Sequence, residues 1–120
     1  RTADDIDASI QLAMEKSANG VVSVCKTVQN PYLMKRESKD GTLHDFMDMN
    51  ITYPRRQILP LVYFPNGAIY WVKNCVFLEE KSFFPTGTYP YIMPEERSLQ
   101  IDTHWDFHVM ELILRAKNCG

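Results

Sequence analysis

Tyr91-Ile92-Met93-Pro94-Glu95-Glu96-Arg97-Ser98-Leu99-Gln100-Ile101-Asp102-Thr103-His104-Trp105-Asp106 reads as a short apolar strand, a charged loop and the start of a helix. Thr103 with Asp106 three residues later forms a capping box, in which the hydroxyl takes one orphan amide and the carboxylate reaches back to another. Asp102 stands just ahead of that cap, where the strand-like pair Leu99 and Ile101 gives way to the helix. Strand-to-helix junctions of α/β proteins are where ligands gather, because the scaffold is rigid and the loop is exposed. A carboxylate there is also stabilised by the helix dipole alone, so position by itself does not decide between a structural and a functional role.

Outward from this junction the chain reads as α/β. Thr2-Ala3-Asp4-Asp5 is a second capping box, followed by Ile6, Ile10, Ala13 and Met14 on one helical stripe. Asn19-Gly20 reads as the helix stop, with glycine taking the left-handed conformation. Val21 to Val28 is β-branched and nearly continuous, the pattern of a strand covered on both faces in a parallel sheet. A helix followed by a buried strand is the second part of a βαβ unit and calls for an earlier strand. Either this strand pairs with later segments, or the chain is the downstream piece of a larger α/β domain, the favoured reading.

From 32 to 60 the sequence turns polar and irregular, too long for a plain connection. It reads as an excursion with a hairpin from Leu43 to Thr52, exposing Met34, Phe46, Met47, Met49 and Ile51. Apolar groups in such a place mark a subunit contact; the alternative is that they fold back on the parent domain. Leu61–Phe64 and Ala68–Val72 flank Pro65-Asn66-Gly67, a tight-turn signal. Lys73-Asn74 caps a short helix through Glu80, with Phe77 and Leu78 inward. Residues 82–87 are a loop, Tyr89–Met93 the last strand, and Thr103 to about Lys117 the last helix, apolar on two sides. The domain reading is a single partial α/β domain over 1–120 with the excursion at about 32–60.

At 120 residues, 45% hydrophobic and 23% charged, the composition is that of a globular protein. A net charge of -2 and the lack of a basic stripe argue against nucleic acid. No apolar run is long enough to cross a bilayer, and no signal-peptide pattern opens the chain. Cys25, Cys75 and Cys119 are odd in number and widely spaced, which points to reduced thiols in the cytoplasm. His104 and His108 lie four apart on a helix but lack the glutamate of a zinc protease motif. There is no nucleophile elbow, and the five glycines form neither phosphate-cradling pattern. The groups left for chemistry suit a carboxylated, polyhydroxylated ligand. Lys35 and Arg56 can pair with an acid, Tyr70 offers a hydroxyl, Phe83 and Phe84 an apolar wall, and Asp102 a hard oxygen for Mg²⁺. Each also has an ordinary reading as solvated charge or core.

Several blocks, in order, carry a family likeness: Arg1-Thr2-Ala3-Asp4-Asp5-Ile6, Val21-Val22-Ser23-Val24, Asn30-Pro31-Tyr32, Arg55-Arg56-Gln57 with Leu59-Pro60, Pro65-Asn66-Gly67-Ala68-Ile69-Tyr70, Phe83-Phe84, Met93-Pro94-Glu95-Glu96-Arg97-Ser98, and Ile101-Asp102-Thr103 with Asp106. With them the chain resembles the C-terminal part of the N-acylneuraminate cytidylyltransferases, the CMP-sialic acid synthetases. The resemblance implies the C-terminal portion of a Rossmann-like nucleotidyltransferase sheet with helices packed on it and a projecting dimerisation arm at 32–60. It implies a reaction of CTP with a sialic acid, with Mg²⁺ on the phosphates, in a homodimer. It also assigns Tyr70, Phe83 and Phe84 to the sugar pocket, and Lys35 and Arg56 to the arm that reaches a neighbouring subunit. Asp102 is then the catalytic, metal-binding carboxylate. Gln100 stands where the family's Asp-Ile-Asp signature has its first aspartate, which weakens the metal site by one charge. The family's N-terminal half, with its CTP loop, has no counterpart here. The expectation is a cytidylyltransferase-type fragment inactive without that half; the alternative is a non-catalytic sugar-acid-binding or dimerisation module.

Overall fold

A computed structural model of the chain describes residues 1–47 and 59–118. Among the described residues it is α/β, with three α-helices, a mixed three-stranded sheet and a separate two-stranded one. The backbone divides into two units, one of Arg1–Cys25 with Phe64–Gly120 and one of Lys26–Tyr63.

In the first unit, α1 (Ala3–Glu15) begins at the expected box: the Asp5 N–H donates to Thr2 Oγ1 and the Thr2 N–H to Asp5 Oδ2. Of the apolar stripe read from the sequence, only Ala13 is buried. Asp5, Ser9 and Ala13 face the sheet, whereas Ile6, Ile10 and Met14 are exposed. The helix is rotated because Asp5 is drawn toward Tyr91 and Arg97. The helix stop also differs. Ser17 takes the left-handed conformation (φ 49°), with Ala18 N–H on the Ala13 carbonyl and Ser17 N–H on that of Met14, a Schellman closure. Gly20 instead opens β1 (Gly20–Lys26). A Cβ there would stand 2.8 Å from Thr88 Oγ1, so glycine serves close strand packing.

β1 is central, in the order β4-β1-β5. It pairs in parallel with β5 (Thr88–Met93), from Gly20 opposite Thr88 to Cys25 opposite Met93. β4 (Tyr63–Val72) lies on its other side. The Lys73 N–H just beyond β4 reaches the Asn19 carbonyl just before β1, and Ile69 meets Ser23, so these two strands run antiparallel. The covering expected for β1 is observed: Gly20 to Val24 are buried. Ala13, Ala18 and Val21 form a core against which Leu12, Trp71 and Tyr91 pack. Pro65-Asn66-Gly67 is not a turn between two strands. It lies inside the ten-residue β4, where Gly67 takes φ +67° and bends a continuous strand. α2 (Asn74–Glu80) leaves Leu78 exposed and Phe77 partly so, contrary to the inward reading. α3 (His104–Asn118) starts at the expected cap, while Trp105, Phe107, Leu112 and Leu114 on it are exposed.

In the second unit, Asn30 Oδ1 accepts from the Tyr32 N–H and opens a 3-10 turn over Pro31–Leu33. β2 (Lys35–Glu37) and β3 (Leu43–Asp45) pair antiparallel around a turn containing Asp40 and Gly41. The hairpin thus starts earlier than the one read over Leu43–Thr52, half of which lies outside the described residues. Met34, Phe46 and Met47 are exposed as expected, and Leu43 is exposed as well; Met49 and Ile51 lie outside the described residues. Among the described residues, no helix is long and apolar enough to cross a membrane.

Candidate functional site

The segment from Pro94 to Asp102 carries the site. β5 ends on Met93, 2% exposed and anchored in the core, and a 3-10 turn over Glu95–Arg97 follows. The chain beyond runs irregularly to the Thr103 cap, tied by side chains instead of a backbone ladder. Three such ties are present. Arg97 donates from Nε (3.2 Å) and Nη2 (2.9 Å) to the two carboxylate oxygens of Asp5. Asn66 Nδ2 donates to Ser98 Oγ at 2.9 Å, and Gln100 Nε2 donates to the Pro65 carbonyl at 2.9 Å. The last two ties come from the β4 bend at Pro65–Gly67, so the bend serves the loop.

Asn66 is itself held from beneath. Its Oδ1 accepts from the buried Ser23 hydroxyl at 2.6 Å and from the Ala68 N–H, while Ser23 Oγ accepts from the Ile69 N–H at 2.7 Å. Every polar atom of this buried relay has a partner, the condition under which such networks rigidify a core. Asp5 is equally enclosed, 1% exposed, with the Tyr91 hydroxyl as a further donor. The Arg97 guanidinium holds the Asp5 carboxyl far below the usual carboxylate range, overcoming the opposing effect of burial. Burial and the adjacent Asp5 charge push the Tyr91 hydroxyl up.

A cleft of about 400 Å³ opens between the β4 bend and this loop, lined among others by Arg1, Gly67, Arg97, Gln100 and Asp102. Asp106 is consumed by the cap: its Oδ2 accepts from the Asp102 N–H, the Thr103 N–H and the Thr103 hydroxyl. The hydroxyl and amide of Thr103 hold its carboxyl below the ordinary value. Asp102, exposed on the cleft, keeps its carboxylate free of hydrogen bonds among the described residues. It can therefore offer hard oxygens to a cation, beside the Arg1 guanidinium, which suits an anion, while that of Arg97 is engaged with Asp5.

Tyr70, Phe83 and Phe84 do come together. The Tyr70 ring meets Phe83 at 5.7 Å and Phe84 at 5.9 Å, both edge-on. Phe77 joins through Phe83 at 5.1 Å. All four rings are partly exposed, making an aromatic wall open to solvent. This wall is distinct from the cleft lining. Lys35 belongs to the second unit, where it is ion-paired with Asp45 across the hairpin; Arg56 lies outside the described residues. Arg1, Asn66 and Arg97 were not singled out from sequence. Asn66 carried a misleading turn signal, and the partners Asp5 and Arg97 lie at opposite ends of the chain. Among the described residues, no group of three or more His, Cys, Asp or Glu is placed to hold a metal ion unaided.

No family model matches the chain. Among curated proteins it is 36% identical over 106 residues to an N-acylneuraminate cytidylyltransferase of Streptococcus agalactiae serotype V, covering 88% of this chain and 25% of that protein. A namesake from Escherichia coli O18:K1:H7 is 35% identical over 99 residues, 82% of this chain and 23% of the relative. Over most of its own length the chain matches part of the N-acylneuraminate cytidylyltransferases. A CMP-N,N'-diacetyllegionaminic acid synthase of Campylobacter jejuni is 31% identical over 90 residues, 75% of this chain and 37% of that protein. The chain thus spans about a quarter of the length of the N-acylneuraminate cytidylyltransferases it matches.

Proposed function

We propose that this chain supplies the acidic-sugar side and the metal-facing loop of a cytidylyltransferase that joins CTP to a sialic-acid-like sugar. The observation that carries the reading is the delivery of an unencumbered Asp102, with Arg97 and Gln100, to a cleft beside the β4 bend. The aromatic wall of Tyr70, Phe83 and Phe84 is the apolar surface against which a sugar ring and its acyl group rest.

Mg²⁺ suits these residues when it arrives with a nucleotide. It favours six oxygens at near-octahedral positions and takes one or two carboxylates plus phosphate oxygens and water. Asp102 offers one carboxylate, and Gln100, whose Nε2 is engaged with Pro65, keeps a neutral amide oxygen. Bound there, the ion would neutralise phosphate charge as pyrophosphate leaves. The chain's own residues do the rest: Arg1 adds positive charge to the cleft, Arg97 being paired with Asp5, and the aromatic wall excludes water from one side of the sugar.

In this reading the remaining triphosphate contacts come from sequence outside this chain, in a Rossmann-like sheet of which β4-β1-β5 is the C-terminal portion. The isolated chain is then inactive. Residues 32–60, with Met34, Leu43 and Phe46 exposed, form the arm against which a second copy docks, bringing Lys35 and Arg56 to the partner's sugar. The setting is the cytoplasm.

Calorimetry with N-acetylneuraminate, CTP and MgCl₂, singly and together, tests this. The expected result is weak sugar binding lost in Tyr70→Ala, with no turnover. Turnover by the chain alone would refute the incomplete site. Sugar binding indifferent to Mg²⁺ and CTP would favour a non-catalytic sugar-acid-binding module.

A further inference from the structure

Asp5 does more than close a capping box. The box needs one carboxylate oxygen, and Oδ2 serves it by accepting from the Thr2 N–H at 2.8 Å and the Thr2 hydroxyl at 3.0 Å. The other oxygen, Oδ1, accepts from Arg97 Nη2 and from the Tyr91 hydroxyl. A residue on the first turn of α1 is therefore fastened by a two-point, charge-assisted fork to the 3-10 turn that launches the Asp102 segment. Such forks fix direction as well as distance, which a single ammonium contact does not. The neutral ties at Ser98 and Gln100 lie downstream of it.

We propose that the Asp5–Arg97 pair is a positioning element for Asp102, setting the departure of the Ser98–Asp102 segment so that the carboxylate waits at a fixed place in the cleft. The proposal rests on the functional reading of Asp102 above. Its physical content is preorganisation: a group held by locked supporting residues does not have to be ordered when the ligand arrives. Arg97 lines the cleft, but two of its nitrogens are committed to Asp5, so it acts on the ligand chiefly through the loop.

The test is ¹⁵N relaxation and Mn²⁺–CTP line broadening on the full chain, in wild type and in Arg97→Lys, Arg97→Met and Asp5→Asn. The expected result is that amide order parameters over Ser98–Asp102 fall from the roughly 0.85 of rigid backbone to below about 0.6 in Arg97→Met and Asp5→Asn. β1 should stay rigid, and Arg97→Lys should lie between, one contact replacing two. The Mn²⁺–CTP concentration that half-broadens Asp102 and Thr103 should rise about 10- to 100-fold in Arg97→Met, the usual effect of removing an outer support. A pair that merely stabilises the fold would lower the urea midpoint and leave the loop order parameters at wild-type values; that result overturns the proposal. Should the two disruptive variants fail to fold, Arg97→Lys decides, and a wild-type loop in it is refuting. A wild-type chain in which Mn²⁺–CTP leaves Asp102 sharp overturns the functional reading of the cleft, while the order parameters still decide the positioning role.

Discussion

Asp5→Asn keeps the shape of the side chain and removes its charge, isolating what the carboxylate contributes to stability. Stripping one partner from a fully buried ion pair costs about 3–5 kcal/mol. Here the Arg97 side chain is 36% exposed against 2% for Asp5, so the orphaned guanidinium regains water and the cost drops to about 2 kcal/mol. With a urea slope of roughly 1–3 kcal/mol per molar, the midpoint should move down by about 1 M with an unchanged slope, read by fluorescence of Trp71 and Trp105. The effect depends on pH in a definite sense. Because the folded-state Asp5 is held below the unfolded value of about 3.9, its contribution is complete above that pH and drains away as acid titrates the folded carboxylate. Wild type should therefore converge on Asp5→Asn as pH falls from about 5 toward 2. A gap at pH 7 under about 0.5 kcal/mol, or one that does not narrow in acid, would refute the assignment of Asp5 as a charged anchor.

Gly67→Ala should cost about 1 kcal/mol through the left-handed backbone alone, since the added methyl meets nothing nearer than Gln100 Cδ at 3.9 Å; a neutral midpoint in thermal unfolding would contradict this. Gln100→Asp gives up the donation to the Pro65 carbonyl, about 1 kcal/mol, and sets a second carboxylate in the cleft. Mn²⁺ titration with CTP should then saturate at lower metal, and an unchanged curve would put Gln100 outside the coordination sphere.

What could be read from sequence was what depends on near neighbours. Both capping boxes, the continuous burial of β1 and the strand before Met93 stand in the structure where their spacing put them. The misreadings share a cause, which is that a distant partner outvoted a local preference. Asn66-Gly67 has the chemistry of a tight turn, but Ser23 on β1 and Ser98 beyond β5 grip the Asn66 side chain and keep β4 in one piece. Gly20 looked like a helix stop, yet the crowding of Thr88 and Pro85 explains it, and Ser17 bears the left-handed turn. Of the stripe Ile6, Ile10, Ala13 and Met14 only Ala13 kept the inner face, beside Asp5 and Ser9, because Arg97 and Tyr91 claim Asp5. At the site, Asp102 was visible as a carboxylate ahead of a cap, and Tyr70, Phe83 and Phe84 do assemble. The buried supports were invisible because nothing local couples residue 5 to residue 97.

The parallel pairing of β1 with β5 has a kinetic corollary. Gly20 finds Thr88 only after most of the polypeptide has been threaded between them, so the sheet is built from contacts of long sequence separation. Chains of that topology fold slowly, since the entropy of closing a large loop is spent before any strand contact rewards it. On the ribosome, β1 must emerge and wait unpaired on that side, its valines uncovered, until β5 has been synthesised, and this interval is when the nascent chain is most open to aggregation.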